Sequence, residues 1–112
     1  MPAAISEDII GLTATAAIAQ YQPVQASGAP AVAAGNAMGF ATTTAASGAR
    51  VPVAVSVTAL AVAGAAIALG AAVEVHTTVT QVVTKSSGIA IGRAITAAAT
   101  AGDVIEVWLI PN

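Results

Sequence analysis

The sequence predicts a small all-β domain of barrel or sandwich type, built from two similar units of about 50 residues with at most short helical turns. The first observation is an internal repeat, since residues 17–24 are similar to 66–73 and residues 38–48 are similar to 91–102. The second is that Val, Ile and Thr dominate the positions not occupied by alanine, which is typical of strands. The third is that Gly or Pro recurs every several residues, which predicts short elements joined by turns.

Short runs of β-branched residues between turn residues predict the strands. In the longest run, residues 72–83, valine and threonine alternate with polar residues such as Glu74 and His76, which predicts one buried and one solvated face. The alanine runs at 45–46 and 97–99 are too short for stable helices, so each predicts at most one helical turn. The strands are expected at residues 23–26, 37–43, 50–57, 72–83, 89–95 and 104–110.

These strands predict a single β domain over residues 17–112, with the two copies at 17–57 and 66–110. One copy alone cannot bury its apolar face in water, so the copies are expected to close on each other and cover each other's edges. Residues 1–16 precede the first copy. They are either an N-terminal arm that adds to the sheet edge of a partner or an edge strand of the same domain.

The scarcity of charge indicates that the protein works in an assembly. Of the 112 residues, 7% are Asp, Glu, Lys or Arg, against about 25% in a typical domain. The formal net charge is −2, and a nearly neutral apolar surface favours association. We therefore expect self-association or burial against other proteins. The Lys and Arg residues number 3, which is too few for a nucleic-acid partner.

The sequence offers no residue set for catalysis, a metal ion or a cofactor. There is one histidine, His76, and no cysteine, whereas a metal site needs several ligands. With Glu74 it could form a weak two-ligand contact at most, and a solvated or interface histidine is expected. Residues 88–93 lack the Gly-Lys-Ser/Thr ending of a phosphate-binding loop. We expect neither an enzyme nor a protein with a small-molecule substrate.

Five apolar residues are candidates for an interface: Ile5, Ile9, Ile10, Leu12 and Trp108. The first four lie in the N-terminal segment. Trp108 alternates with Glu106 and Ile110 on one face of a predicted strand. Buried aromatic anchors often dominate interface energetics, although a core position for this tryptophan is an equal alternative.

Several segments resemble the capsid decoration, or cement, proteins of tailed bacteriophages: residues 37–41, Gly70 ahead of 73–75, residues 91–94 and residues 99–107. The resemblance implies a small β-barrel-like domain on the outer capsid surface of the virion, often a homotrimer, with the major capsid protein as its partner. It implies that the bound protein bridges neighbouring capsid subunits and stabilises the capsid. It implies no catalytic residues.

Other functions remain open. A head fibre or another shell-associated structural protein would share these features. A membrane-associated protein is a second alternative, since residues 51–73 carry no charge and are long enough to span a bilayer. Pro52, Gly64, Gly70 and the strand-like alternation argue against a helix there, so no membrane partner is expected. A ligand-binding barrel would need a pocket with convergent polar groups.

Overall fold

The protein is an all-β domain, as predicted from its sequence. The computed structural model describes residues 7–109, apart from the side chains of Glu7, Asp8, Ser56 and Val57. Over residues 7–109 it contains eight strands and no helix, and therefore no helix that could cross a membrane. The strands are β1 (Glu7–Thr13), β2 (Pro23–Val24), β3 (Gly39–Ala41), β4 (Arg50–Val62), β5 (Ala72–Val75), β6 (Val82–Thr84), β7 (Gly92–Ala94) and β8 (Val104–Leu109).

The strands form two antiparallel sheets that share β4. In the first sheet β1 and β3 both pair with the N-terminal half of β4, and β2 pairs with β3. In the second sheet the C-terminal half of β4 pairs with β8, and the order continues through β7 and β5 to β6. The two sheets, of four and five strands, give a sandwich-like architecture.

Strand β4 runs five residues past its predicted end and joins the two halves of the molecule. Val51 and Val53 are buried in its N-terminal half, and Ala59 and Ala61 are buried in its C-terminal half. The two pairs belong to different core clusters, since Val51 and Val53 lie in the smaller cluster and Ala59 and Ala61 lie in the larger one. Ala54, next to Val53, is also fully buried and belongs to the larger cluster, and the pairing with β1 has a register shift at this point. The strand therefore turns a different side to the core in each half. The extension beyond Val57 is rich in alanine, and these small side chains let the sheets pack closely.

The predicted strand at residues 72–83 is wrong, because the chain turns back on itself and forms the hairpin of β5 and β6. Val75 lies opposite Val82, and the His76 amide donates to the Gln81 carbonyl to close the turn. The segment between them has no Gly or Pro to mark a turn. Its threonines continue the alternating pattern, so the sequence alone favours a longer strand.

The alanines predicted to form helical turns lie instead in isolated β-bridges. Ala45 pairs with Ile18, and Ala98 pairs with Ile67 in the same antiparallel manner. Neighbouring turn bonds recur as well: the Gly48 amide donates to the Ala14 carbonyl, and the Gly102 amide donates to the Ala63 carbonyl, each at 2.7 Å. This recurrence supports the proposal of an internal duplication within one domain.

Residues 7–13 of the N-terminal segment form β1, which pairs antiparallel with β4 from Thr13 opposite Arg50 to Glu7 opposite Val57. Residues 1–6 lie outside the described part of the chain.

The core lies between the sheets and is rich in small side chains. A larger cluster joins both sheets around Phe40, Ile67 and Ile105, and a smaller cluster around Ile18 and Val24 lies in the N-terminal half. Close packing extends to the backbone, since a Cβ atom on Gly92 would lie 2.7 Å from the Trp108 carbonyl oxygen. The absence of a side chain at Gly92 therefore lets the backbones of β7 and β8 approach each other closely.

Candidate interaction surface

The N-terminal candidates divide between the surface and the core. In β1, Ile9 is 46% exposed and Ile10 is 38% exposed. Leu12 is half-buried and packs against the smaller core cluster. Ile5 lies outside the described residues. β1 therefore exposes two isoleucines, while its third apolar residue contributes to the fold.

Trp108 lies on the outer face of the second sheet. It is 53% exposed, whereas its strand neighbours Val107 and Leu109 are buried. Two strands flank it, because Thr58 of β4 and Arg93 of β7 lie directly opposite. An aromatic side chain held on a central strand loses little conformational freedom when it binds, which suits an interface anchor.

The surroundings of Trp108 combine exposed apolar area with one basic and one acidic side chain. Val104, on the same face of β8, is 52% exposed, and Glu106 lies between it and the tryptophan. Arg93 donates through Nη1 to the Gly70 carbonyl at 3.1 Å, which fixes its guanidinium beside the sheet. The buried Thr58 hydroxyl has no hydrogen-bond partner within the described part of the chain. We call Thr58, Arg93, Val104, Glu106 and Trp108 the tryptophan face.

A second apolar surface is a groove with a volume of about 520 Å³ at the junction of the two halves. Gln25 and Asn36 are polar residues of its wall, and none of the described residues that line it is ionisable. The volume falls in the usual range of ligand sites, about 300–1,000 Å³, but such a site also needs convergent polar groups. We call this surface the central groove; its apolar wall includes Ile10, Val32, Met38, Phe40, Ile91 and Leu109.

The structure brings the predicted residues to two surfaces rather than one. Ile10 lines the central groove together with Leu109. Trp108 precedes Leu109 in β8, so its side chain points to the opposite face of the sheet. The candidates from the two ends of the chain therefore do not form a single patch.

Sequence reasoning missed exposed apolar residues in loops. Val32 is 60% exposed, Leu69 is 69% exposed and Ile89 is 44% exposed. Val32 and Leu69 lie near a Gly or Pro and outside the predicted strands, whereas Ile89 follows Gly88 at the start of the strand predicted at residues 89–95. An apolar residue in a turn-rich segment is the signal that would have found them, because strand burial does not account for it.

Two ionisable side chains, those of His76 and Asp103, hold turns together. The His76 Nδ1 atom accepts a hydrogen bond from the Thr78 amide at 2.9 Å. The Asp103 Oδ2 atom accepts from the amides of Ala99 and Thr100. Over the described residues, no group of three His, Cys, Asp or Glu side chains could hold a metal ion.

Comparisons with known proteins give one family and one informative structure. The sequence matches the family described as "Phage cement protein" over residues 5–109. The fold is similar to the crystal structure of the N base of head fiber gp8.5 in bacteriophage phi29, with a TM-score of 0.73 and 15% sequence identity. That alignment covers 94% of this chain and 95% of the other. Among curated proteins, none matches the sequence.

Proposed function

Because the chain belongs to the phage cement protein family, we propose that it binds the outer surface of a phage capsid and bridges neighbouring subunits of the major capsid protein. The family makes it a structural, capsid-associated protein of the virion. The observation that carries the finer proposal is the presence, on one small domain with few charges, of two separate surfaces that expose large apolar side chains.

Bridging needs a protein that can touch two neighbours at once. The central groove and the tryptophan face lie on opposite faces of β8, so a subunit seated on one does not block the other. A ligand that contacts several sites of a repeating lattice gains avidity without any single strong contact. Hydrogen-bonded strands also hold the two surfaces at a fixed separation, which suits a brace. This function requires no catalytic residue.

The proposed contact residues are Ile9, Ile10 and Trp108, with Ile5 and Leu12 as further members of the N-terminal set. Exposed apolar side chains on a protein with little charge repulsion are favoured at interfaces between proteins. We extend the proposal to a homotrimer, as the family resemblance implies.

Trp108→Ala tests the capsid contact. We expect its affinity for capsids that lack the protein to fall by about 30-fold, the factor for an interface anchor worth roughly 2 kcal/mol. Co-sedimentation of purified protein with capsids gives the affinity. Circular dichroism should show an unchanged fold, since the side chain is half exposed.

Leu69→Ala is the matched control, because it removes an even more exposed apolar side chain from a turn outside both surfaces. It should bind like the wild type. Full binding by Trp108→Ala would remove the tryptophan from the interface. Failure of the wild-type protein to sediment with capsids would overturn the proposed function itself.

A head fibre is the second candidate function, favoured by the similarity to the phi29 head fiber base. In that case this domain would serve as an attachment base, and fibrous density would extend from it. Electron microscopy of virions distinguishes the two, since a cement protein leaves a compact protrusion on the shell.

A further inference from the structure

Glu74 is the one carboxylate among the buried polar residues of the described chain, and it is 8% exposed. It lies in β5, and its Oε1 atom accepts hydrogen bonds from the amides of Ser86 and Gly88, each at 2.8 Å. Two amides converging on one ionised oxygen form charge-assisted bonds, which are about twice as strong as neutral ones. The carboxylate therefore holds the loop of residues 86–89 against the sheet.

That loop also contacts the first half of the molecule. The Ile89 amide donates to the Ala34 carbonyl at 3.1 Å, and the Ala34 amide donates to the Val75 carbonyl at 2.9 Å. A Cβ atom added to Gly88 would lie 2.7 Å from the Ala34 Cβ, so the two loops are in close contact. Ala34 lies two residues after Val32, whose side chain lines the central groove.

The electrostatics of this contact depend on the charge of Glu74. The hydrogen bond from the Ser86 amide, followed by that from the Gly88 amide, lowers the pKa of the Glu74 carboxyl below the ordinary 4.5. Desolvation raises this pKa, and the positive charge of Lys85 lowers it further. His76 and Arg93 lie on neighbouring backbone, but their polar atoms bond to the Thr78 amide and the Gly70 carbonyl. A lowered pKa means that the ionised form stabilises the fold above pH 4.5, and that this contribution is lost as the pH falls through the lowered value.

We infer that Glu74, the loop of residues 86–89 and Ala34 form an acid-sensitive latch between the two halves of the protein. Protonation of the carboxyl replaces two charge-assisted bonds by weaker ones and releases the loop. The bond from Ile89 to Ala34 then opens, and the groove wall that contains Val32 loses its support. This property belongs to the isolated chain and does not depend on capsid binding.

Amide hydrogen exchange of the wild-type protein, followed by NMR from pH 7 down to roughly pH 3, tests the latch. We expect the protection factors of Ser86, Gly88, Ile89 and Ala34 to fall together, several-fold relative to Ile18. The Ile18 amide is a suitable reference, because it donates to the Ala45 carbonyl and neither residue belongs to the latch. Unchanged protection of the four amides relative to Ile18 through the Glu74 titration would overturn the inference.

Glu74→Gln keeps an acceptor oxygen but removes the charge. In this variant the amides of the four latch residues should be weakly protected already at pH 7, and their protection should show no acid step. Glu106→Gln is the matched control, since it removes a half-buried carboxylate from the same sheet. It should retain the wild-type acid step. An acid step that persists in Glu74→Gln contradicts the latch, and if that variant does not fold, the wild-type profile decides alone.

Discussion

Tyr21 and Gly70 occupy matching backbone positions in the two halves of the molecule. The Tyr21 amide donates to the Ala41 carbonyl, and the Gly70 amide donates to the Ala94 carbonyl. Both residues have positive φ, 66° for Tyr21 and 84° for Gly70. This conformation is strained for side chains with a Cβ atom. The tyrosine is thus tolerated where glycine is the unstrained choice, and its ring lines a small pocket with Phe40 and Leu60.

Gly70→Ala measures the cost of this conformation. A Cβ atom at Gly70 would have nothing within 4 Å, so strain in the backbone is the expected effect. We predict a loss of about 1–2 kcal/mol in the free energy of unfolding, measured by urea denaturation. Gly70→Asn is the control, because asparagine tolerates positive φ and should recover part of the loss. An alanine variant as stable as the wild type would show that the turn can adopt another conformation.

At the scale of elements, β4 is the strand on which the two sheets depend. Its C-terminal half places Ala59 and Ala61 in the core with at most 1% exposure. The small alanine side chains determine how closely the sheets approach, because neighbouring core side chains already fill the space around them. A larger side chain cannot be accommodated without moving a sheet.

Ala61→Leu should therefore destabilise the protein by about 1–3 kcal/mol through overpacking. The matched control is Val62→Leu on the other side of the same strand, where the side chain is half-buried, and its effect should be much smaller. Urea unfolding of the two variants provides the comparison. Equal stability of both variants would mean that the core beside β4 can expand.

The same elements show how far sequence alone predicts this fold. Alternation and glycine spacing place β2, β3, β7 and β8 within the predicted ranges, because each lies between clear turn signals. The hairpin of β5 and β6 was not predictable, since its turn bonds involve His76 and Gln81 rather than Gly or Pro. The exposure of Trp108 is set by strand alternation against buried Val107 and Leu109, whereas the central groove depends on loop packing that local pattern cannot give.

At the scale of the whole molecule, two sheets that share a strand form one body with little charge and exposed apolar side chains. The two halves share β4 and a common core, so the central groove and the tryptophan face stay in fixed relation. Apolar area of this kind favours association in solution, and the proposed burial between capsid subunits would remove it from water. The family assignment and the physical character of the surface thus agree on a structural role in the virion.

High-resolution electron microscopy of the native virion tests the bridging proposal most directly. We predict density for this sandwich on the outside of the shell, with its central groove or tryptophan face in contact with at least two neighbouring capsid subunits. Density that touches a single subunit, or a fully assembled shell whose exterior lacks the protein, would contradict the bridging function.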